Sequence, residues 1–168
     1  MFRKGEYIIY GTKGVCEVMD ITTIKREGIP DDRLYYLLHP LNVKGSQVFT
    51  PVDNDKIIMR PLISRKEAEE LISDIPQIEE LSVPSEKLRE QTYKDCIRTG
   101  DCREYVKIIK TLYHRKRARV ANGKKITATD ERYLKQAEDA LHSELAILFD
   151  VDRDDVPRVI DERLKDRA

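Results

Sequence analysis

Two hydrophobic periods divide the chain. Up to about residue 60 apolar residues come in short runs separated by turn residues; from Ser64 onward they recur at three- and four-residue intervals. The first pattern predicts strands and the second helices. Five strands are expected, at 6–10 (EYIIY), 15–21 (VCEVMDI), 33–39 (RLYYLLH), 46–52 (SQVFTPV) and 55–61 (DKIIMRP). In the second, Val15, Glu17, Met19 and Ile21 alternate with Cys16, Val18 and Asp20, a set that is itself mostly apolar. Gly11 to Gly14 reads as a turn, residues 25–32 as a loop holding Gly28 and Pro30, and Pro51 marks an edge strand or a strand end. Five short strands with tight turns imply a small barrel of the SH3 or Tudor type; the segment is short for an OB-like barrel.

The helical half is punctuated by caps. Ser64 with Glu67 three residues on forms a capping box, and Ala68, Leu71, Ile72 and Ile75 make one apolar face before Pro76 stops the helix. Residues 77–84 form a connector with Ile78 and Leu81 as its apolar residues. Ser85 is placed to cap a second helix with Leu88, Thr92, Tyr93 and Cys96 on one side and Gly100 at C′. Asp101 caps a third helix, which Gly123 ends. Thr127 or Thr129 opens a fourth, with Leu134, Ala137, Leu141, Leu145 and Leu148 as its seam. Asp155 and Pro157 open a short last helix carrying Val156, Val159, Ile160 and Leu164. The fold class is therefore α+β: a small SH3/Tudor-like β barrel over residues 1–62, then an all-α antiparallel bundle of about five helices over 63–168.

Charge changes this picture, because it is segregated. The chain has 31 Lys and Arg and 31 Asp and Glu, yet residues 103–125 hold nine basic residues and only one acid, Glu104. In that stretch Tyr105, Ile108, Ile109 and Leu112 face a core, while Arg103, Lys107, Lys110, His114 and Arg117 fall three or four apart on another side. Such a basic stripe suits a nucleic-acid phosphate backbone; the alternative is a solvated helix face balanced by nearby acids.

Candidate chemistry adds little. His39, His114 and His142 have no metal-ligand spacing around them, and phosphate-binding glycine motifs are absent. Cys16, Cys96 and Cys102 form no CxxC pair, which reads as a reducing cytosolic protein; a Cys96–Cys102 disulfide is the alternative. No apolar run approaches the ~18 residues of a membrane span, and the N-terminus lacks the apolar core of a signal peptide. A thiol-dependent or metal enzyme has no support in the spacing. The expectation is a non-enzymatic binding protein without cofactor or metal, in which an edge strand such as 46–50 is open to strand addition or covered by the helical half.

The order of parts resembles a known family. FRKGEYIIYGTKGVCEVMDI (2–21), YYLL (35–38), VFTPVDN (48–54), MRPLIS (59–64), TYKDCIRTGD (92–101), VKIIKTLYHRKR (106–117) and TATDERYLKQAEDALHSELAIL (127–148) together resemble the CarD/CdnL family. Helicase motifs are absent, so the chain looks like the stand-alone regulator rather than a transcription–repair coupling factor. The resemblance implies a Tudor-like domain that docks on the β subunit of bacterial RNA polymerase and a helical domain that binds promoter DNA. It also implies a cytoplasmic monomer, nucleoid-associated through polymerase, that acts at the upstream edge of the bubble on open-complex stability. An adaptor that docks on polymerase without engaging DNA is the second reading.

Residue by residue, the resemblance points to Thr22, Lys25, Val48 and Phe49 for polymerase. Relatives commonly carry basic residues at the positions of Thr22 and Phe49, so the contact here is expected to be more apolar or to use Lys25 and Arg26; Phe49 in the barrel core is the alternative. Towards DNA it points to Lys87, Arg89 and Lys94, supported by Lys107, Lys110, Arg115 and Arg117. Many relatives carry a Trp wedge before the segment that matches 92–101, whereas this chain has no Trp. Arg89 stands at that place, with Leu88 beside it as the other wedge candidate or as part of the core stripe.

Overall fold

The computed structural model describes residues 1–166. The chain forms two compact units, the first ending at Leu62 and the second beginning at Ile63.

The first unit is a five-stranded antiparallel sheet of the Tudor-like type: β1 (Tyr7–Tyr10), β2 (Val15–Thr23), β3 (Leu34–Pro40), β4 (Val48–Pro51) and β5 (Met59–Pro61), in the order β4-β3-β2-β1-β5. Its inner face buries Ile8, Tyr10, Cys16, Val18, Tyr36 and Leu38, with Phe2, Ile21, Val48, Val52 and Met59 packed against them. Strict alternation along β2 would put Ile21 on the outer face. A register shift between Val18 and Asp20 changes the phase, so Ile21 joins Cys16 and Val18 inside. The Gly11–Lys13 turn joins β1 to β2. At Gly11 (φ +47) a Cβ would lie 2.7 Å from Ile57 Cγ2, so any other residue would strain the backbone and force Ile57 to shift. Residues 55–58, expected to start the last strand, are outside it, and Ile57 and Ile58 are exposed.

The second unit holds α1 (Arg65–Asp74), α2 (Arg89–Arg98), α3 (Cys102–Ala121), α4 (Ala128–Phe149) and α5 (Val156–Asp166). Three caps fall where the sequence places them. Ser64 and Glu67 form the capping box, Asp101 accepts from the Arg103 amide, and Thr127 accepts from the Asp130 amide. α2 departs from expectation. Residues Glu86–Leu88 form a 3-10 turn, the helix begins at Arg89, and the Ser85 side chain makes no cap. The core gathers Ala68, Leu71 and Ile72 of α1, Tyr93, Cys96 and Ile97 of α2, Tyr105, Ile108 and Leu112 of α3, and Leu134, Ala137, Leu141 and Leu145 of α4. Val156 closes it from α5.

Candidate polymerase-docking and nucleic-acid surfaces

On the sheet, β4 is an edge strand, and residues facing one another across the ladder share a face. Phe49 lies opposite Leu37, Leu37 opposite Asp20, and Thr22 opposite Tyr35, so Phe49 and Thr22 lie on the same, outer face. Phe49 is 49% exposed and does not belong to the core. Val48, its neighbour, points the other way and packs, partly buried, against the inner cluster. Thr22 donates to the Thr23 carbonyl, and Lys25 is exposed without a side-chain partner among the described residues.

In the helical unit the expected basic stripe has an intramolecular counterpart. The connector between α1 and α2 runs beside α3 and meets it position by position. Asp74 pairs with Arg103 at 2.8 Å, and the Lys110 amine donates to the carbonyls of Ile75 and Ile78. The Leu81 amide donates to the Thr111 hydroxyl, Glu80 meets His114 at 2.9 Å, and Glu86 lies 3.9 Å from Arg115. Lys107 pairs within its own helix with Glu104 at 2.9 Å, which lowers the Glu104 pKa and raises that of Lys107. Lys110 thus adds a donor to carbonyls at the end of α1 and in the following turn, of which Ile75 also accepts from the Ile78 amide. Arg103, Lys110, His114 and Arg115 thus tie α3 to the segment before α2, and Lys107 is paired within α3, so these residues do not stand free as a stripe.

Arg89 is also held. Its Nε and Nη2 donate to the two oxygens of Glu86 and its Nη1 donates to the Tyr93 hydroxyl, leaving the side chain 17% exposed. The bidentate bond to Arg89 lowers the Glu86 pKa, while burial raises that of Tyr93. Tyr93 donates to Asp130 Oδ1, and Arg115 Nε donates to Asp130 Oδ2 at 2.8 Å. Glu86, Arg89, Tyr93, Asp130 and Arg115 therefore close a ring that ties the 3-10 turn to α2, α3 and the start of α4.

Two features project from that ring. Leu88 is 49% exposed, so it is not part of the core stripe expected for it. Lys87 beside it is exposed and has no partner among the described residues; Lys94 is 3.8 Å from Glu90. Beyond Arg115, the α3–α4 hairpin ends in Lys116, Arg117, Lys124 and Lys125, all exposed and without side-chain partners among the described residues. Arg119 Nε donates to the Lys125 carbonyl, which folds the turn back on the helix. No acid occurs from Tyr105 to Thr129. Of the residues expected at DNA, Lys87 and Arg117 are free, Lys94 is loosely paired, and Arg89, Lys107, Lys110 and Arg115 are engaged. Lys116, Lys124 and Lys125 were not singled out; their signal was the lack of any acid in reach.

The cysteines form no disulfide. Cys96 donates its thiol to Glu104 and Cys102 to Glu144, and both are free and buried, as is Cys16. Burial pushes the Cys16 pKa up to about 11 and, with the Glu104 bond, that of Cys96 up to about 12. Among the described residues no His, Cys, Asp and Glu group is arranged to hold a metal, and no helix is long and apolar enough to cross a membrane.

No curated protein matches the chain. Two family models do: the CarD-like/TRCF RID domain over residues 2–63 and the CarD C-terminal domain over residues 76–161. The first spans the Tudor-like sheet, and the second covers the ring, its exposed turn and the cationic hairpin, more than half of the chain. A sheet and a helical unit in this order, each matched along most of its length, identify the chain as a member of the CarD/CdnL family of RNA-polymerase-interacting transcription regulators.

Proposed function

We propose that the chain docks on the β subunit of bacterial RNA polymerase through the outer face and β4 edge of its sheet, and contacts promoter DNA at the upstream edge of the bubble with the end of its helical unit. The observation that carries the DNA half is the set of unpaired cations Lys116, Arg117, Lys124 and Lys125, in the same helical unit as the exposed Leu88, a unit whose other α3 cations are largely engaged. Lysines and arginines there meet phosphates. Leu88 presents an apolar side chain that fits between base steps opened at the bubble edge, as apolar wedges do in minor-groove binders. Leucine offers less stacking surface than the tryptophan of many relatives, so the wedge is weaker and the phosphate contacts matter more. A protein that binds the open promoter better than the closed one shifts the equilibrium by that difference in affinity; about 1–3 kcal/mol changes it five- to 150-fold. Its action needs no catalysis. Thr22, Phe49 and Lys25 offer the polymerase a mixed apolar and cationic surface beside an open strand edge.

The test is promoter opening by polymerase with a fluorescent bubble probe, alongside binding of the chain to labelled duplex DNA over a salt series. Leu88→Ala is expected to keep duplex affinity while losing the effect on open-complex lifetime. Lys116→Glu with Arg117→Glu is expected to weaken duplex binding and to reduce the salt slope by about 2, one phosphate contact for each residue. Absence of salt-dependent duplex binding in the wild-type chain, with the double reversal changing nothing, would leave the adaptor reading, a polymerase-docked protein that does not engage DNA.

A further inference from the structure

Glu86 differs from the other acids facing α3, because two guanidiniums share it. Arg89 grips it with Nε at 2.9 Å and Nη2 at 2.6 Å, and Arg115 Nη1 lies 3.9 Å from the same Oε1. Both arginines are fixed from behind. Arg89 Nη1 donates to the Tyr93 hydroxyl at 3.0 Å, and Arg115 Nε donates to Asp130, which is 1% exposed. Glu86 itself is loosely anchored: its side chain is 75% exposed, and it opens a 3-10 turn that has no side-chain cap. The cations are thus built into the fold, while the anion stands at its surface.

A guanidinium fork that holds a carboxylate side-on holds a phosphate in the same way. The charge count also fits. Arg89, Arg115, Glu86 and Asp130 sum to zero, and a phosphodiester, with one negative charge, restores that sum if Glu86 leaves. Glu86, the exposed member of the pair, can turn out into water while the two arginines stay in place. Lys87 and Leu88, in the same turn as Glu86, are exposed.

We propose that Arg89 and Arg115 form a phosphate clamp, occupied by Glu86 in the free protein and by a DNA phosphate in the complex. This rests on the DNA-binding reading above and adds to it an internal competitor that sets the affinity. Glu86 acts as a built-in mimic of the ligand, so the clamp stays closed to weak anions and opens to a phosphate that neighbouring cations already hold.

The experiment uses the full chain, fluorescein-labelled duplex DNA and a salt series. Glu86→Gln keeps the size of the side chain and removes the competing charge; it is expected to bind about fivefold tighter than wild type. Glu70→Gln, which removes the same charge from an exposed position on α1, is expected to bind as wild type does. In the wild-type chain the Arg89 Nε–H resonance should move when DNA is added, because its carboxylate partner is replaced. A Glu86→Gln affinity equal to or below that of wild type, an equal gain in Glu70→Gln, or an Arg89 resonance unmoved at saturating DNA would each overturn the clamp while leaving the DNA-binding reading intact. Absence of salt-dependent duplex binding in both wild type and Glu86→Gln would overturn both.

Discussion

Burial disfavours the charged form of His142. It lines a cleft with Val106, Ile109, Leu141 and Ile160, and its pKa lies below the ordinary 6.5, lowered first by desolvation and also by Arg153, with Glu138, Asp139 and Asp154 pulling the other way. The unfolded chain therefore takes up a proton more readily than the folded one. Stability is full above the unfolded value and declines as pH falls below it, towards the lowered folded value. Thermal melts between pH 7.5 and 5.5 should show that decline, and His142→Gln should flatten it; an unchanged slope in the variant would assign the decline to other groups. Leu88 shows what single residues hide from sequence reading. Its spacing to Thr92 and Cys96 suggests a core position, but a 3-10 turn rather than an α-turn precedes Arg89, and this leaves Leu88 at the surface. Phe49 resolves the other way: alternation alone leaves two faces open, and pairing with Leu37 sets its side.

At the scale of elements, caps and apolar seams were legible because they are local. Ser64, Asp101 and Thr127 each act within three residues of their own position. The fate of the basic stripe was not, because it depends on a connector without a period of its own. Residues 74–86 run beside α3, and their acids, carbonyls and the Leu81 amide meet its polar side chains over separations of about 30 residues in the chain. Lys110 makes the distinction measurable. Lys110→Met keeps the aliphatic stem but leaves the Ile78 carbonyl without the lysine donor and the Ile75 carbonyl with the Ile78 amide alone, at a cost of about 1–3 kcal/mol. A lower melting temperature with the salt slope of DNA binding unchanged is the expected result; a fall in that slope with stability intact would return Lys110 to the phosphate-binding set.

At the scale of the molecule, two units divide the work proposed for them, so their variants should separate. Phe49→Asp replaces an exposed ring on the sheet and is expected to cost about 2 kcal/mol or more in binding to the isolated polymerase β lobe, in the manner of an interface hot spot. Duplex binding by the same variant should stay at the wild-type level, since sites without shared partners act additively. Wild-type affinity for the lobe would remove Phe49 from the docking face. The order of the two folds was visible in the change of period near Ser64; their surfaces were not, since exposure is settled only when every strand and helix has found its partner. The helical unit has a further property. From residue 63 on there are 22 Lys and Arg against 23 Asp and Glu, yet the hairpin end carries unopposed cations. Such a body is an electric dipole with almost no monopole. In the field of a polyanion it is turned far more than it is pulled, and beyond about 8 Å at physiological salt even the torque is screened. Free in solution, most of its collisions with DNA would arrive with the wrong pole forward. A polymerase anchor supplies what the charge distribution withholds, a long residence within turning distance, so the protein would stay off bare chromosome and engage where transcription is already starting.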